Sequence, residues 1–485
     1  MPTAASLLAR PYPAALALLL AAWLVFLPGA LGRLRRRLAQ AGPSTWVPLG
    51  ALLLGALVLR LALPSAHQVY YDEFEHLDIA RRVAAAGSFA GTLAGGLEGW
   101  DVASRPTWPG GHHVALAAAF RLFGAGEATA FAWSAVLSAL TALFVFWAAL
   151  EAFDDERGAL AAAFVWAASP LALRWGLAAD LTSSSLFWSA AALAALHARR
   201  NDEALGPFAA LTLAYSVQVR PENFLLLGYA ALLRAPARVI LPGLAGFAFP
   251  AAIALLNRAE ALPGYSASTT SPLAHLARQL GPNLRFLVSR PECLLAVLPG
   301  VIAAATRRRA AALGALAACF LLLYGCFFRG RFDAGTEDRY ALSVLLPLVV
   351  AGAAVLPQAA VPAALLAAGL AWRGPAPADA RNAESRRFLE EAASRLPERA
   401  YVVAFNPRSC ARPRAAPRPG PICSSRTFPP SKWRAPPRAR PRSWRSTRTG
   451  PGARAPTTPR GWRRRSPRAT PRRSSPTTGG TRSCC

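Results

Sequence analysis

The sequence predicts an all-α, polytopic membrane protein, and three observations carry that expectation. Of 485 residues, 54% are apolar and the mean hydropathy is positive, a composition too apolar for an ordinary soluble domain of this size. The apolar residues fall into about 11–12 separate runs, several of them shorter than the ~20 residues of a full bilayer-crossing helix. The bases then concentrate in alternate loops, as the orientation of such helices requires.

Charge is unevenly distributed. The formal net charge is +29, but residues 408–485 hold 20 Arg and one Lys with no acid, which leaves +8 to the first 407 residues. The basic character belongs to the tail, so it is no footprint of nucleic-acid binding by the whole chain, and no nucleic-acid partner is expected. Cys293, Cys319 and Cys326 lie in or beside apolar runs, and Cys410, Cys423, Cys484 and Cys485 lie in the tail. Their spacing suggests neither zinc nor a disulfide framework.

Taken in order, Ala14 to Leu31 is the first run, followed by Arg33, Arg35, Arg36 and Arg37. A cleaved signal peptide carries its charge before the apolar segment, so this order predicts a retained helix ending in the cytoplasm. Residues 1–45 then read as an extra N-terminal helix with a basic loop. The second run, Trp46 to Leu63, delivers the chain to the extracytoplasmic side at Val69-Tyr70-Tyr71-Asp72-Glu73-Phe74-Glu75-His76-Leu77-Asp78. Four carboxylates and a histidine within seven positions at the mouth of a span mark a functional site facing water or a cavity.

From Glu73 to Ala86, apolar Phe74, Leu77, Ile79, Ala80 and Val83 recur at roughly helical spacing and predict a short helix lying at the interface, ended by Gly87. Gly91 to Gly111 reads as a loop, and His112 to Phe123 as a second interfacial or re-entrant helix. Further spans are expected at Ala130–Leu150, Ala159–Leu173, Leu181–Leu196, Pro207–Val219, Phe224–Leu233, Val239–Leu256, Leu294–Ala305, Ala310–Phe328, Ala341–Leu356 and Val361–Trp372. Alternation along these spans puts Arg157, Arg199 with Arg200, Arg234 with Arg238, and Arg307 to Arg309 on the side of Arg33 to Arg37. It places Asp72, Asp180, the Arg258 to Glu292 loop and the Arg329 to Arg339 loop together outside.

Residues 374–407 read as a truncated soluble segment, with a helical face at Phe388, Leu389 and Ala392 and a strand at Tyr401 to Phe405. Beyond Pro407, Arg, Pro, Ser and Thr dominate and no packed core can form. That stretch reads either as a disordered basic tail binding anionic lipid or nucleic acid, or as the product of a shifted reading frame in a GC-rich gene. The abrupt change of character favours the second.

Several motifs occur together in a fixed order. Asp72-Glu73 precedes Ile79-Ala80-Arg81-Arg82; Arg105-Pro106 precedes Phe120-Arg121-Leu122-Phe123-Gly124; Asp180 follows Ser169-Pro170; Arg220-Pro221-Glu222 and Arg339-Tyr340 come later. From about Trp46 to Trp372 this order resembles the membrane glycosyltransferases of the protein O-mannosyltransferase and lipid A aminoarabinose transferase superfamily, which is glycosyltransferase family 39-like and has the GT-C fold.

The resemblance implies a multi-pass protein of the bacterial inner membrane and cell envelope. It would move a hexosyl or pentosyl group from a polyprenyl-phosphate donor to a hydroxyl of a glycan, lipid or protein on the outer face. It casts Asp72 as the base on the acceptor, with Glu73 orienting the acceptor or sharing the proton. Arg105 would clamp the departing phosphate, since a planar guanidinium bonds two phosphate oxygens at once, and Arg339 is a second candidate for that role. Glu75, His76, Asp101 and Asp180 would support the site. Relatives often carry a Glu-Lys-Pro triplet where this chain has Ser104-Arg105-Pro106, so Glu98 or Asp101 would have to supply the accompanying acid.

Each residue also has a plainer reading. Asp72 and Glu73 can simply favour the positive end of a helix dipole. One Glu-x-x-His spacing at Glu73 to His76 is weak evidence for a metal site, and His112-His113 reads as a pair of interface histidines. Arg105 and Arg339 can snorkel to headgroups, Asp180 can cap the following helix, and Arg220-Pro221-Glu222 can be a helix break with a local ion pair. No metal is required by the expected chemistry, and Mg or Mn stays open. The rival class is a transporter or lipid flippase whose acids bind a coupling ion, though no inverted repeat is visible; a catalytically dead lipid-binding relative is a third reading.

Overall fold

The computed structural model describes residues 11–89, 109–259, 271–327 and 329–355, together with the isolated positions Arg387 and Glu391. Within them the chain forms fifteen α-helices and no strand. The last expected span, Val361–Trp372, the soluble segment 374–407 apart from those two positions, and the tail 408–485 lie outside the described residues, as do Glu98, Asp101, Ser104 and Arg105.

Helix α1 (Pro11–Ala41) and α2 (Pro43–Ala62) are the peripheral pair. Their apolar side chains point outward, with Leu18 and Val25 more than two-thirds exposed, as expected where lipid is the solvent. Helices α3 (Tyr70–Ala86) and α4 (Gly111–Phe123) follow, close to the two interfacial helices expected from the sequence. Phe74, Leu77 and Ala80 of α3 pack with Leu116 and Phe120 of α4. Ile79 and Val83 turn instead toward Val114, Ala117 and the Tyr12 end of α1.

The centre is built from α5 (Glu127–Phe153), α8 (Thr182–Asn201) and α15 (Arg339–Gly352). Ala190, Ala191, Ala192, Ala194 and Ala195 of α8 are all inaccessible; small side chains let neighbouring backbones approach closely where no water drives association. Around this centre stand α6 (Glu156–Ala168), α7 (Pro170–Gly176), α9 (Gly206–Val219), α10 (Leu225–Leu232), α11 (Ala237–Ala259), α12 (Pro272–Ser289), α13 (Pro291–Thr306) and α14 (Arg308–Cys326). A side chain at Gly300 of α13 would sit 2.6 Å from the Leu348 carbonyl oxygen of α15, so this close crossing needs glycine.

Among the described residues, α1, α2, α5 and α14 are each long and apolar enough to cross a bilayer, and two bent pairs bring the number to six when each pair is one span. The expected straight span Ala159–Leu173 is instead α6 plus α7, bent by 59°. Ser169 is extended and accepts from the Ala172 N–H, and Pro170 opens α7; proline suits a first helical turn and is awkward within one. Arg60 of α2, inaccessible to solvent, braces this break. Its guanidinium donates to the Ala167 carbonyl at 3.3 Å, to Ser138 Oγ at 2.9 Å and to the Ala56 carbonyl at 3.1 Å.

The Arg258 to Glu292 region, expected as a loop, contains α12, which meets α13 at 100°. The helix carries Pro282 in its interior.

The two ends of the bundle differ in charge chemistry. At one, Arg33 grips Glu151 with bonds of 2.9 and 2.8 Å and reaches Asp202 at 3.3 Å, Asn201 donates to Glu151, Arg37 pairs with Asp154, and Thr45 bonds Glu156. These join the ends of α1, α5 and α8 to the starts of α2 and α6. Asp180 lies at the other end of α8, roughly 30 Å away for a 20-residue helix at 1.5 Å per residue. Arg33 to Arg37, Arg157 and Arg199 with Arg200 thus share one end, and Asp180 with its partners Asp72 and Arg339 lies at the other.

Candidate active site

Helix α3 begins where the backbone amides of Gln68 and Val69 donate to Glu73 Oε1 at 2.6 and 2.8 Å. A carboxylate in the first turn that reaches back to satisfy orphan amides fixes a helix start. Glu73 Oε2 takes the Ala179 N–H at 3.1 Å and faces His67 Nδ1 at 2.6 Å. Glu73 is fully buried and ties the α2–α3 connection to the α7–α8 turn. His67 also contacts Glu127 at 3.2 Å. Burial opposes its protonation, but the hydrogen bonds to Glu127 and Glu73 prevail and lift its pKa to about 9.

One position earlier, Asp72 points the other way. Arg339, the first residue of α15, donates from Nη2 to Asp72 Oδ2 at 3.2 Å and from Nη1 to Asp180 Oδ2 at 3.4 Å. Glu337 stands 3.6 Å from the same Nη2. The guanidinium lies over the rings of Trp175 and Tyr340, 5.8 and 5.3 Å from their centroids. Three segments far apart in sequence are thus drawn onto one cation: the first turn of α3, the turn before α8 and the start of α15.

The two acids differ in environment. Asp72 keeps 15% of its side chain exposed, while Asp180 keeps none. Burial raises the Asp72 pKa and Arg339 only partly opposes it. At Asp180 burial pushes the same way, but Arg339 and other nearby bases win and hold it well below the usual carboxylate range. Asp180 thus holds its charge the more firmly, and Asp72 is the more basic and the more exposed of the two.

Asp180 does not cap α8: no side chain caps that helix, and its Oδ2 instead bonds the Thr182 hydroxyl and Arg339. Its other oxygen stands 3.6 Å from His76 Nε2. His76 Nδ1 meets His113 Nε2 at 3.0 Å, and His112 Nδ1 meets Ser184 Oγ at 2.8 Å. His112 and His113 are buried rather than lying at an interface. Burial lowers the pKa of His76 to about 3 and of His112 to about 4, so both are neutral near pH 7. Glu75 is buried on α3 beside them.

Sequence reasoning missed the support behind Arg339. Arg174 donates to Asp338 at 2.7 Å and to Gln68 at 2.9 Å, and Trp175 Nε1–H donates to Asp338 at 3.1 Å. Glu337-Asp338-Arg339-Tyr340 is a dense polar run before an apolar one, which was the available signal. Arg220, read as part of a local ion pair, is 94% buried, with Glu222 at 3.6 Å and the Tyr340 ring 5.3 Å away. Among the described residues no group of three or more His, Cys, Asp or Glu side chains is arranged to hold a metal ion.

No protein-family model and no curated protein matches this chain. Solved structures do. The lipid A aminoarabinose transferase ArnT from Cupriavidus metallidurans in the apo state superposes with a TM-score of 0.54 at 15% identity, over 76% of this chain and 84% of that one. The same enzyme bound to undecaprenyl phosphate gives 0.55 at 14% identity, over 76% and 85%. The chain is similar to these proteins in the path of its backbone, and it has the GT-C fold of membrane glycosyltransferases.

Proposed function

We propose that this chain transfers a sugar from a polyprenyl-phosphate donor to an acceptor hydroxyl, at the end of the bundle that holds Asp72, Asp180 and Arg339. The observation that carries this reading is the asymmetric pair of acids on one guanidinium, set on a fold shared with a transferase that binds undecaprenyl phosphate. A carboxylate that burial makes more basic and that still reaches solvent has the properties a general base needs.

Asp72 takes the acceptor proton as the acceptor oxygen attacks the anomeric carbon. The bond from that carbon to the phosphate oxygen breaks, and its electron pair leaves on the lipid phosphate. As Asp72 is neutralised it loses its hold on Arg339 Nη2, at the moment when the phosphate gains a negative charge. The guanidinium is then available to the leaving group, a stabilisation that grows in the transition state. Asp180, the more firmly charged, keeps Arg339 at the site throughout. Glu73 sets the position of Asp72 by fixing the start of α3. Arg105, which falls between α3 and α4 in the sequence, would add a second cation, and the reaction as written needs no metal ion.

Basic residues gathered at the opposite end favour an extracytoplasmic site in a multi-pass inner-membrane protein. Purified chain in nanodiscs, supplied with a panel of polyprenyl-phosphate sugars and membrane-derived acceptors, tests the reading. Transfer that vanishes in Asp72→Asn, with insertion intact, supports it. Transfer undiminished in that variant, or no turnover of any lipid-linked donor, overturns it.

A further inference from the structure

Helix α12 presents three distinct stripes. Gln279, Asn283, Phe286 and Leu287 are buried against the protein. Leu273, Ala277, Leu284 and Val288 are exposed at spacings of i, i+4, i+11 and i+15, which is one face of a helix. Leu273 is 73%, Leu284 45% and Val288 54% exposed. Beside that face lie exposed Arg278 and Arg285, seven positions apart, and the helix contains no acid.

Its setting is equally specific. Helix α12 turns 100° from α13, which packs with the apolar, membrane-length α14 and with α15. With α13 running alongside those helices as a crossing segment, a turn of 100° would lay α12 along the membrane plane. The buried stripe is bonded to one stretch of chain: Gln279 donates to the Phe327 carbonyl at 2.8 Å, Asn283 donates to the Gly330 carbonyl at 2.8 Å and accepts from the Phe332 N–H at 2.9 Å. That stretch leads directly into Arg339.

We propose that α12 is an in-plane anchor that binds an anionic phospholipid surface, with Leu273, Leu284 and Val288 in the acyl region and Arg278 and Arg285 on the headgroup phosphates. An apolar stripe flanked by bases without acids has the chemistry of a helix lying on such a bilayer. Through Asn283 the anchor holds the segment that presents Arg339, so the membrane surface itself becomes a wall of the site. The anchor stands whether or not the transferase reading holds, because it uses none of the reacting groups.

The test places the photoreactive residue p-benzoylphenylalanine at Leu284 of the full chain, in nanodiscs of phosphatidylcholine alone or mixed with phosphatidylglycerol. Illumination should yield phospholipid adducts by mass spectrometry, enriched in phosphatidylglycerol above its share of the mixed disc. Arg278→Gln with Arg285→Gln, both solvent-exposed positions, should remove that enrichment, by roughly fivefold per arginine, while adduct yield in pure phosphatidylcholine is unchanged. The basic tail is the same in every sample and cannot produce the difference. Absence of lipid adducts at position 284, or enrichment that survives the double substitution, overturns the proposal.

Discussion

Arg339 Nη2 and Asp72 Oδ2 are 3.2 Å apart although 267 positions separate them in the chain. The contact closes α15 onto the first turn of α3, and the same guanidinium holds Asp180 with its other terminal nitrogen. Removing Asp72 therefore does two things: it takes away a proton acceptor and leaves Arg339 with one firm partner instead of two.

Asp72→Asn is isosteric and still accepts a hydrogen bond through its amide oxygen, so α3 and α15 should stay together. Transfer should fall by about 100-fold to 10,000-fold, the range that a positioned base contributes, with little change in donor affinity. Initial rates and donor binding measured on the same nanodisc sample separate the two effects.

Arg339→Met leaves Asp180 buried without its main counter-charge. Breaking one partner of a buried pair costs about 3–5 kcal/mol, so the melting temperature in detergent should drop sharply. Arg339→Lys keeps the charge but cannot reach two carboxylates from one planar fork. It should recover most of the stability and little of the transfer, measured by thermal melts beside activity.

Stability should depend on pH through His67. Its folded-state pKa, about 9, lies above its ordinary 6.5, so the protonated ring between Glu73 and Glu127 stabilises the fold. That contribution is complete below pH 6.5 and disappears as pH rises through about 9. Melting curves of the parent and His67→Gln, compared from pH 6 to 10, should differ most at low pH and converge at high pH.

Activity should show a separate pH dependence. Asp72 must be ionised to accept a proton, and burial lifts its pKa above the usual carboxylate range. Transfer at limiting substrate should therefore decline on acidification earlier than an ordinary aspartate would dictate, and the inflection should vanish from the residual rate of Asp72→Asn.

The orientation of the bundle is open to direct labelling. In a background without native cysteines, Asp333→Cys should react with an impermeant maleimide in intact cells. Arg200→Cys should react only after permeabilisation, because bases collect on the cytoplasmic side.

Much of this architecture is written in local patterns. The apolar runs, the short helices at Tyr70–Ala86 and Gly111–Phe123 and the unusual acids at Asp72 and Glu73 are visible because each depends on residues within a few turns. The division of labour between Asp72 and Glu73 is not visible, since neighbours on a helix point in different directions and only the packed structure shows which meets backbone amides. Asp180 read as a cap because its sequence neighbours suit one; its actual partner lies 159 positions away. Helix α12 was hidden within the Arg258 to Glu292 loop because its apolar residues share the helix with Arg278, Gln279, Asn283 and Arg285 and form no continuous run.

Arg60 carries an implication for how the protein is made. A guanidinium on an apolar helix is unwelcome to lipid, and its relief here comes from Ser138 of α5 and the Ala167 carbonyl of α6. Those oxygens leave the ribosome only after roughly 80 to 110 further residues have been synthesised. The second crossing must therefore wait, sheltered by the insertion machinery or by water at the membrane surface, for partners not yet made.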